Sequence, residues 1–229
     1  MNKKHTSFVG KSRNNKVRVK SAKGRRKSST LWLQRHINDP YVQNAKINRL
    51  KSRAAWKLIQ IDDKLNILKK GNRVVDLGAA PGGWTQIAVK RVGFGNVIAM
   101  DVADMDPIDG AIILKGDVTE SESIKLILEN FNLPVNVVLS DMAAKTTGHR
   151  QTDHLRTMTL CEAAVEFSLS YLSLGGTMVA KVFQGGAQAD LLVKIRPYFN
   201  KIRHYKPDAS RKESPETYLI ARGFKRGSL

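Results

Sequence analysis

Three glycines stand in a short segment that could hold a small ligand. The apolar run Val74-Val75-Asp76-Leu77 precedes Gly78, Gly82 and Gly83, and a helical pattern begins near Trp84. Glycine lets a chain turn sharply between strand and helix and lets the backbone come close to a ligand. The spacing is G-x-x-x-G-G, so the G-x-G-x-x-G pattern of a dinucleotide site is not met. The turn therefore predicts a site for a cofactor other than a dinucleotide.

Acidic residues close the strands expected around this turn. Asp76 would repel a pyrophosphate but tolerate an ammonium or sulfonium, which favours S-adenosylmethionine. Asp101 ends the next predicted strand, where a carboxylate can accept hydrogen bonds from ribose hydroxyls. Asp117 follows a third strand and could meet the adenine amine. A lone aspartate after a strand is often a turn former, so the prediction depends on all three together with the glycines.

Alternating patterns of strand and helix position these residues. Short apolar runs predict strands at 72–76, 96–100, 111–114, 135–139, 177–183, 201–205 and 217–221. Helical spacing occurs at 52–65, 84–91, 121–130, 153–172 and 189–198. The alternation predicts an α/β fold with a seven-stranded, mostly parallel, doubly wound sheet and helices on both faces. With S-adenosylmethionine as the favoured cofactor, we expect this to be the Rossmann-like fold of class I methyltransferases. Ligands bind such sheets at the carboxyl ends of the strands.

The chain is strongly basic, with a net charge of +19 over 229 residues. Residues 1–30 carry eleven Lys and Arg, no acidic residue and few apolar ones. We expect them to be a disordered tail, and residues 31–229 to be one methyltransferase domain. The surplus indicates a nucleic-acid partner, because basic side chains displace its counterions. A mitochondrial transit segment and an anionic membrane surface are alternatives, but no basic amphipathic stripe supports them.

Other residue types narrow the class of protein. Cys161 is the single cysteine, so no internal disulfide is expected, which fits the cytoplasm. No apolar run approaches the roughly 18 residues of a membrane span, so we expect no membrane partner. The five histidines lack metal-ligand spacing, so we expect no metal. The segment Asn38-Asp39-Pro40-Tyr41 is similar to a motif of amine methyltransferases, but it precedes the sheet, and we interpret it as a turn before the first helix.

Several segments, in the same order, resemble the FtsJ family of ribose 2′-O-methyltransferases, which act on large-subunit ribosomal RNA. The resemblance runs from about residue 31 to residue 224 and is carried by 52–58, 74–84, 140–143, 179–185, 206–211 and 216–218. Ala144 replaces the proline that the family has after Ser-Asp-Met-Ala, which bears on the shape of that loop alone.

The resemblance implies a catalytic tetrad. Its positions here are Lys57, Asp141, Lys181 and Glu216, and the implied cofactor contacts are Gly82, Trp84, Asp101, Asp117 and Asp141. Methyl transfer is an in-line displacement, so the ribose 2′-oxygen must lie about 3 Å from the methyl carbon and give up its proton. Our hypothesis is that neutral Lys181 accepts this proton. A nearby Lys57 would favour the neutral form, whereas Asp141 and Glu216 would oppose it.

The resemblance also implies a substrate, a uridine in the A-loop of 23S rRNA in the 50S subunit. Enzymes acting on tRNA, mitochondrial rRNA or an mRNA cap share the tetrad, so these stay open, as does a non-catalytic ribosome-assembly factor. We expect a monomer that binds no DNA. Phosphates could be held near the site by Arg53, Lys145, Arg150 and Arg211, and removing residues 1–30 should weaken RNA binding and flatten its salt dependence.

Overall fold

One seven-stranded sheet organises the chain, in the order β3-β2-β1-β4-β5-β7-β6. The computed structural model describes residues 17–19, 24, 27–144, 147–183 and 187–226. The strands are β1 Val74–Leu77, β2 Val97–Asp101, β3 Ala111–Lys115, β4 Val135–Ser140, β5 Leu172–Phe183, β6 Phe199–Tyr205 and β7 Glu216–Phe224. All neighbours pair in parallel except β7, which is antiparallel to β5 and β6. The predicted α/β fold is confirmed.

Helices cover both faces of the sheet. They are α1 Lys27–Ile37, α2 Pro40–Ile47, α3 Ala55–Leu65, α4 Gly83–Val92, α5 Ser121–Asn130, α6 Arg150–Tyr171 and α7 Ala187–Ile195, with a 3-10 turn at Arg196–Tyr198. One apolar core packs α2, α3 and α4 on the sheet, and a second packs α5, α6 and α7 on the other face. Adjacent strand residues alternate between them, as Val74 and Val75 do. Within the described residues, no helix has the length and apolar content to cross a bilayer.

Two helices precede the first helix that the sequence predicts. Helix α1 begins at Lys27, so the predicted boundary at residue 30 falls inside it. The segment interpreted as a turn ends in α2, where Asp39 is the N-cap and accepts a hydrogen bond from the Tyr41 N–H at 2.9 Å. Most of residues 1–26 lie outside the described residues, so the disordered tail stays a prediction.

The register of β5 brings distant residues together. Helix α6 was predicted to reach residue 172, but it ends at Tyr171 and β5 follows at once. Farther along β5, Ala180 lies opposite Ser140, the last residue of β4. This pairing places Asp141, which follows β4, beside Lys181 of β5. On the other edge of β5, Lys181 lies opposite Tyr218 of β7. The site described below depends on these two pairings.

Candidate active site

A cleft of about 320 Å³ opens at the carboxyl ends of β1 to β4. This volume is within the range of roughly 300–1,000 Å³ typical of small-molecule sites. Residues at or after each of these strands line it, with one residue from α6: Gly78, Ala80, 100–102, 116–118, 141–143 and Leu160. The predicted Gly78, Asp101, Asp117 and Asp141 are therefore brought together in one cleft.

The turn after β1 needs glycine for conformation and for space. Gly78 has φ +70°, and Gly82, the N-cap of α4, has φ +100°, values that other residues rarely adopt. A Cβ on Gly78 would lie 2.2 Å from the Met142 Cγ, so backbone has to form this part of the wall. Gly83 opens α4 and lies so close to Ser52 that a Cβ would be 2.3 Å from its Oγ. Neither Gly82 nor Gly83 lines the cleft; both shape the turn.

Asp76 is buried inside the protein and does not line the cleft. Its Oδ2 accepts a hydrogen bond from the Thr85 hydroxyl at 2.7 Å, and its Oδ1 has no hydrogen-bond partner among the described residues. Burial raises the pKa of Asp76 to about 7, and the charges of Asp141 and Asp101 act in the same direction. Because its carboxyl is partly protonated at neutral pH, Asp76 is a weak source of the expected repulsion of pyrophosphate.

Asp101 and Asp117 present carboxylates to the cleft. Asp101 accepts from the Ala80 N–H at 2.9 Å and from the Ala103 N–H at 2.8 Å, which fixes both oxygens beside the glycine turn. The Asp117 Oδ1 accepts from the N–H and the hydroxyl of Thr119 at 2.9 and 2.7 Å. These bonds hold the carboxylates in place, and a carboxylate oxygen can accept further hydrogen bonds from a ligand.

The lining of the cleft fits S-adenosylmethionine. Its residues, all of them described, include three aspartates, namely Asp101, Asp117 and Asp141, and no Lys or Arg. Such a wall disfavours a pyrophosphate and favours a ligand with a sulfonium and an ammonium group. Apolar side chains complete the wall, as the flat face of an adenine requires: Met100, Val102, Val118, Met142 and Leu160.

The four residues of the implied tetrad lie together at the edge of this cleft. The Lys181 Nζ is 2.8 Å from the Asp141 Oδ1 and donates a hydrogen bond to the Asp141 backbone oxygen at 2.7 Å. The Lys57 Nζ is 2.8 Å from the Glu216 Oε1 and 3.8 Å from the Asp141 Oδ1. Their side chains are only 7–16% exposed. Asp141 lines the cleft as well, so it joins the cofactor region to both lysines.

Tyr218 is a member of this cluster that the sequence did not predict. Its ring is fully buried, and its hydroxyl donates to the Asp141 Oδ1 at 2.6 Å. Burial raises the pKa of Tyr218 well above 10, with the charges of Asp141 and Glu216 adding to the effect. Burial acts to raise the pKa of Asp141 too, but the charges of Lys181 and Lys57 outweigh it and hold that pKa below its usual range. Asp141 is therefore an anion whose Oδ1 accepts a hydrogen bond from Tyr218 and has two lysine ammonium groups within 3.8 Å.

Arg53 and Gln60 connect α3 to the loop that leads into β7. The Arg53 guanidinium donates to the Ala209 backbone oxygen at 2.7 Å, and the Ala209 N–H donates to the Gln60 Oε1 at 2.8 Å. Lys57 lies between Arg53 and Gln60 in the sequence, and Glu216 follows the loop. These contacts hold the loop against the helix and so position Lys57 opposite Glu216.

The remaining predicted residues lie outside the cleft wall or outside the described residues. Trp84 is buried, donates from its indole to the Ala54 oxygen at 2.8 Å, and packs on Tyr218 with ring centroids 5.4 Å apart. Cys161 is buried, and burial raises its pKa to about 12, as expected for a core thiol. Of the cations proposed to hold phosphates, Arg53 pairs with Asp39 at 2.8 Å and Arg211 is partly exposed. Lys145 and the side chain of Arg150 lie outside the described residues.

Comparison with known proteins places these features in a family. The sequence model of the FtsJ-like methyltransferases matches residues 50–224. The chain is 54% identical over 226 residues to the ribosomal RNA large subunit methyltransferase E of Paramagnetospirillum magneticum, covering 96% of this chain and 92% of the relative. It is 49% identical over 217 residues to the protein of the same name from Acidiphilium cryptum, covering 95% and 96%.

A solved structure has the same fold. The crystal structure of a Plasmodium falciparum protein described as a ribosomal RNA methyltransferase superposes with a TM-score of 0.66 at 28% identity, covering 76% of this chain and 98% of that one. The family match includes the glycine turn, the cleft and all four tetrad residues. The chain therefore belongs to the FtsJ-like methyltransferase family and uses S-adenosylmethionine as its methyl donor.

Proposed function

We propose that this enzyme methylates the 2′-oxygen of a ribose in large-subunit ribosomal RNA, and that the nucleotide is a uridine of the A-loop. The observation that carries the proposal is the position of Asp141, which lines the cofactor cleft and contacts both Lys181 and Lys57. A hydroxyl bound beside these lysines would lie next to the cofactor. The name of the relatives, which specifies the large ribosomal subunit, supports the choice of RNA.

In the proposed mechanism, the aspartates of the cleft hold the cofactor. Asp101 accepts from the ribose hydroxyls and Asp117 from the adenine amine, while Gly78 allows backbone to approach. When bound, S-adenosylmethionine supplies a methyl group on a positively charged sulfur. Asp76, Gly82, Gly83 and Trp84 act indirectly, because they shape and support the turn and do not line the cleft.

Lys181 is the proposed acceptor of the 2′-hydroxyl proton. Two of the three positions on its Nζ are directed to the carboxylate and the carbonyl of Asp141, which leaves one for the ribose oxygen. Lys57 and Glu216 form a second ion pair within 3.8 Å of Asp141, which balances the charge of the group. In its neutral form Lys181 keeps two N–H donors for Asp141 and presents its lone pair to the hydroxyl, and it becomes an ammonium when it takes the proton.

Methylation of purified subunits tests the function. Purified 50S subunits from cells lacking the enzyme are incubated with it and labelled S-adenosylmethionine, and the modified nucleotide is mapped. We expect one 2′-O-methyluridine in the A-loop. Modification only of tRNA or of a capped mRNA would overturn the substrate assignment, and binding to subunits without any methyl transfer would make the protein an assembly factor.

Single-turnover kinetics test the role of Lys181. Lys181→Met should reduce the rate of methyl transfer by at least about 100-fold, the order that a positioned proton acceptor supplies, with cofactor and RNA affinities unchanged. Lys181→Arg is the matched control that keeps the charge but cannot lose its proton at neutral pH. Near-full turnover by the methionine variant, with normal binding, would contradict the proposal. An arginine variant as active as the wild type would restrict Lys181 to orienting the hydroxyl.

We further propose that the enzyme acts in the cytoplasm as a monomer on the 50S subunit and does not bind DNA, with the basic N-terminal segment adding affinity. Since α1 begins at Lys27, removal of residues 1–16 takes away five Lys and Arg without cutting that helix. We expect weaker binding to subunits and a smaller slope of log affinity against log salt, by up to about 0.9 for each phosphate that the shortened protein no longer neutralises. Binding with an unchanged slope would contradict a role for this segment.

A further inference from the structure

Helix α1 presents an aromatic side chain to solvent. Trp32 is 51% exposed and Leu31 is 60% exposed, although tryptophan is normally well buried. The indole stacks on the His36 imidazole, with ring centroids 5.0 Å apart and planes inclined by 12°. Lys27 and Arg35 are exposed on the same helix. We call these five residues the Trp32 platform.

Contacts connect helix α1 to the chain segments on both sides of it. Just beyond the carboxyl end of α1, Asp39 pairs with Arg53 at 2.8 Å, and Arg53 lies four residues before Lys57. Residues 17–19 also run beside α1, because the Val17 N–H donates to the Asn38 Oδ1 and the Val19 N–H donates to the Gln34 Oε1, both at 2.9 Å. Along the chain, the platform thus lies between the basic residues 1–26 and the tetrad, and the residues directly after α1 contact both Val17 and Arg53.

The charge of the sequence on both sides of the platform favours a polyanionic partner. Over residues 1–53, Lys and Arg outnumber Asp and Glu sixteen to one. The single carboxylate, Asp39, is already paired with Arg53. A cationic surface with an exposed, pre-stacked aromatic group is the arrangement that binds unpaired nucleic acid, in which the phosphates meet the cations and a base stacks on the ring.

We propose that the Trp32 platform stacks on an unpaired base of the substrate RNA, outside the methylated nucleotide. This inference rests on the proposed function, and it assigns the platform a role in holding the RNA while the tetrad acts on one ribose. Base stacking tolerates different sequences, since every base has a π-face. Arg35 and Lys27 would contact the neighbouring phosphates, which position RNA without reading its sequence.

Tryptophan fluorescence can test the stacking directly. Trp56 and Trp84 are only 2% exposed, so among the three tryptophans Trp32 reports on the surface. Full-length protein is titrated with a single-stranded RNA oligonucleotide, a duplex of the same length and inorganic polyphosphate. We expect the single strand to quench the fluorescence and to protect it from acrylamide, and polyphosphate to bind without either effect.

Substitutions separate stacking from charge. Trp32→Ala should weaken binding of the single strand by roughly 5- to 150-fold, the range for loss of one base–aromatic stack, with an unchanged salt slope. Trp32→Phe should retain most of the affinity, and Arg35→Ala should reduce the salt slope by about 0.7. Phe94→Ala is the matched control, since Phe94 is an aromatic residue 71% exposed in the turn between α4 and β2; its binding should equal that of the wild type.

Several outcomes would overturn the proposal. One is unchanged binding of the single-stranded RNA by the Trp32→Ala variant. Another is weakened binding of this variant to 50S subunits together with normal binding to protein-free rRNA, because the platform would then contact a ribosomal protein. Loss of self-association in the alanine variant would assign the platform to a contact between copies. If the single strand quenches Trp32 but no methyl reaches large-subunit rRNA, the proposed function fails while the stacking stands.

Discussion

The buried carboxyl of Asp76 should make the stability of the protein depend on pH. Its pKa is raised to about 7 in the folded state, mainly by burial, against 3.8 for the free side chain. The folded state therefore binds this proton more tightly than the unfolded state, so the free energy of unfolding falls as pH rises from about 4 to about 7. The full effect is about 4 kcal/mol, of which about 3 kcal/mol develops between pH 5 and pH 8.

Asp76→Asn removes this titration while keeping an oxygen that can accept from the Thr85 hydroxyl. Urea unfolding of both proteins at pH 5 and pH 8, without cofactor, gives the difference in their free energies of unfolding. We expect this difference to shift by about 3 kcal/mol in favour of the variant at the higher pH. Thr85→Val is a useful companion variant, because it removes a hydrogen bond that lowers the pKa of Asp76. The pH range over which the free energy of unfolding falls should therefore move to higher pH. A difference that is the same at both pH values would refute the reasoning.

Three further predictions concern the cleft and the tetrad. Tyr218→Phe removes the hydroxyl that donates to Asp141, so the rate of methyl transfer, measured by stopped flow, should fall by about 10-fold or more. The melting temperature, measured by calorimetry, should change little, because the ring still packs on Trp84. An unchanged rate would count against a positioning role for Tyr218. Asp101→Ala should weaken S-adenosylmethionine binding in calorimetric titration by at least about 10-fold, whereas unaltered affinity would remove Asp101 from the ribose site. Gly78→Ala should lower the free energy of unfolding by at least about 1 kcal/mol and abolish cofactor binding. The reason is that its Cβ would lie 2.2 Å from the Met142 Cγ, at a φ of +70°. A stable variant that binds the cofactor normally would contradict this prediction and show that the turn can relax.

Strand periodicity explains both successes and errors of the sequence predictions. The carboxyl ends of parallel strands meet at one edge of the sheet, so Asp101, Asp117 and Asp141 could be placed in one cleft from sequence alone. The same period of two places Asp76 on the face of the sheet that α3 and α4 cover, where it meets Thr85, and this was not anticipated. Tyr218 could have been found, because it is two residues from Glu216 and so shares its face of β7.

Other parts of the structure have no strong sequence signal. Lys57 and Glu216 are ordinary charged residues in a helix and at a strand end, so only the family resemblance singled them out. Helix α1 exposes Leu31 and Trp32, so it lacks the clean apolar stripe from which a helix is predicted. The pairing of Asp39 with Arg53 and the hydrogen bonds of Arg53 and Gln60 with Ala209 join residues up to 156 positions apart, and local sequence patterns do not predict such contacts.

The insertion of β7 between β5 and β6 has a consequence for the order in which the enzyme becomes competent. Every residue that lines the cleft lies between positions 78 and 160, whereas Glu216 and Tyr218 belong to β7, which is synthesised after the other six strands of the sheet. All of the cleft-lining residues are therefore synthesised before the tetrad is complete, and β7 must then insert between two strands that already exist. Catalysis requires this strand to dock, because Glu216 and Tyr218 complete the cluster around Asp141 and the rest of β7 packs into both apolar cores.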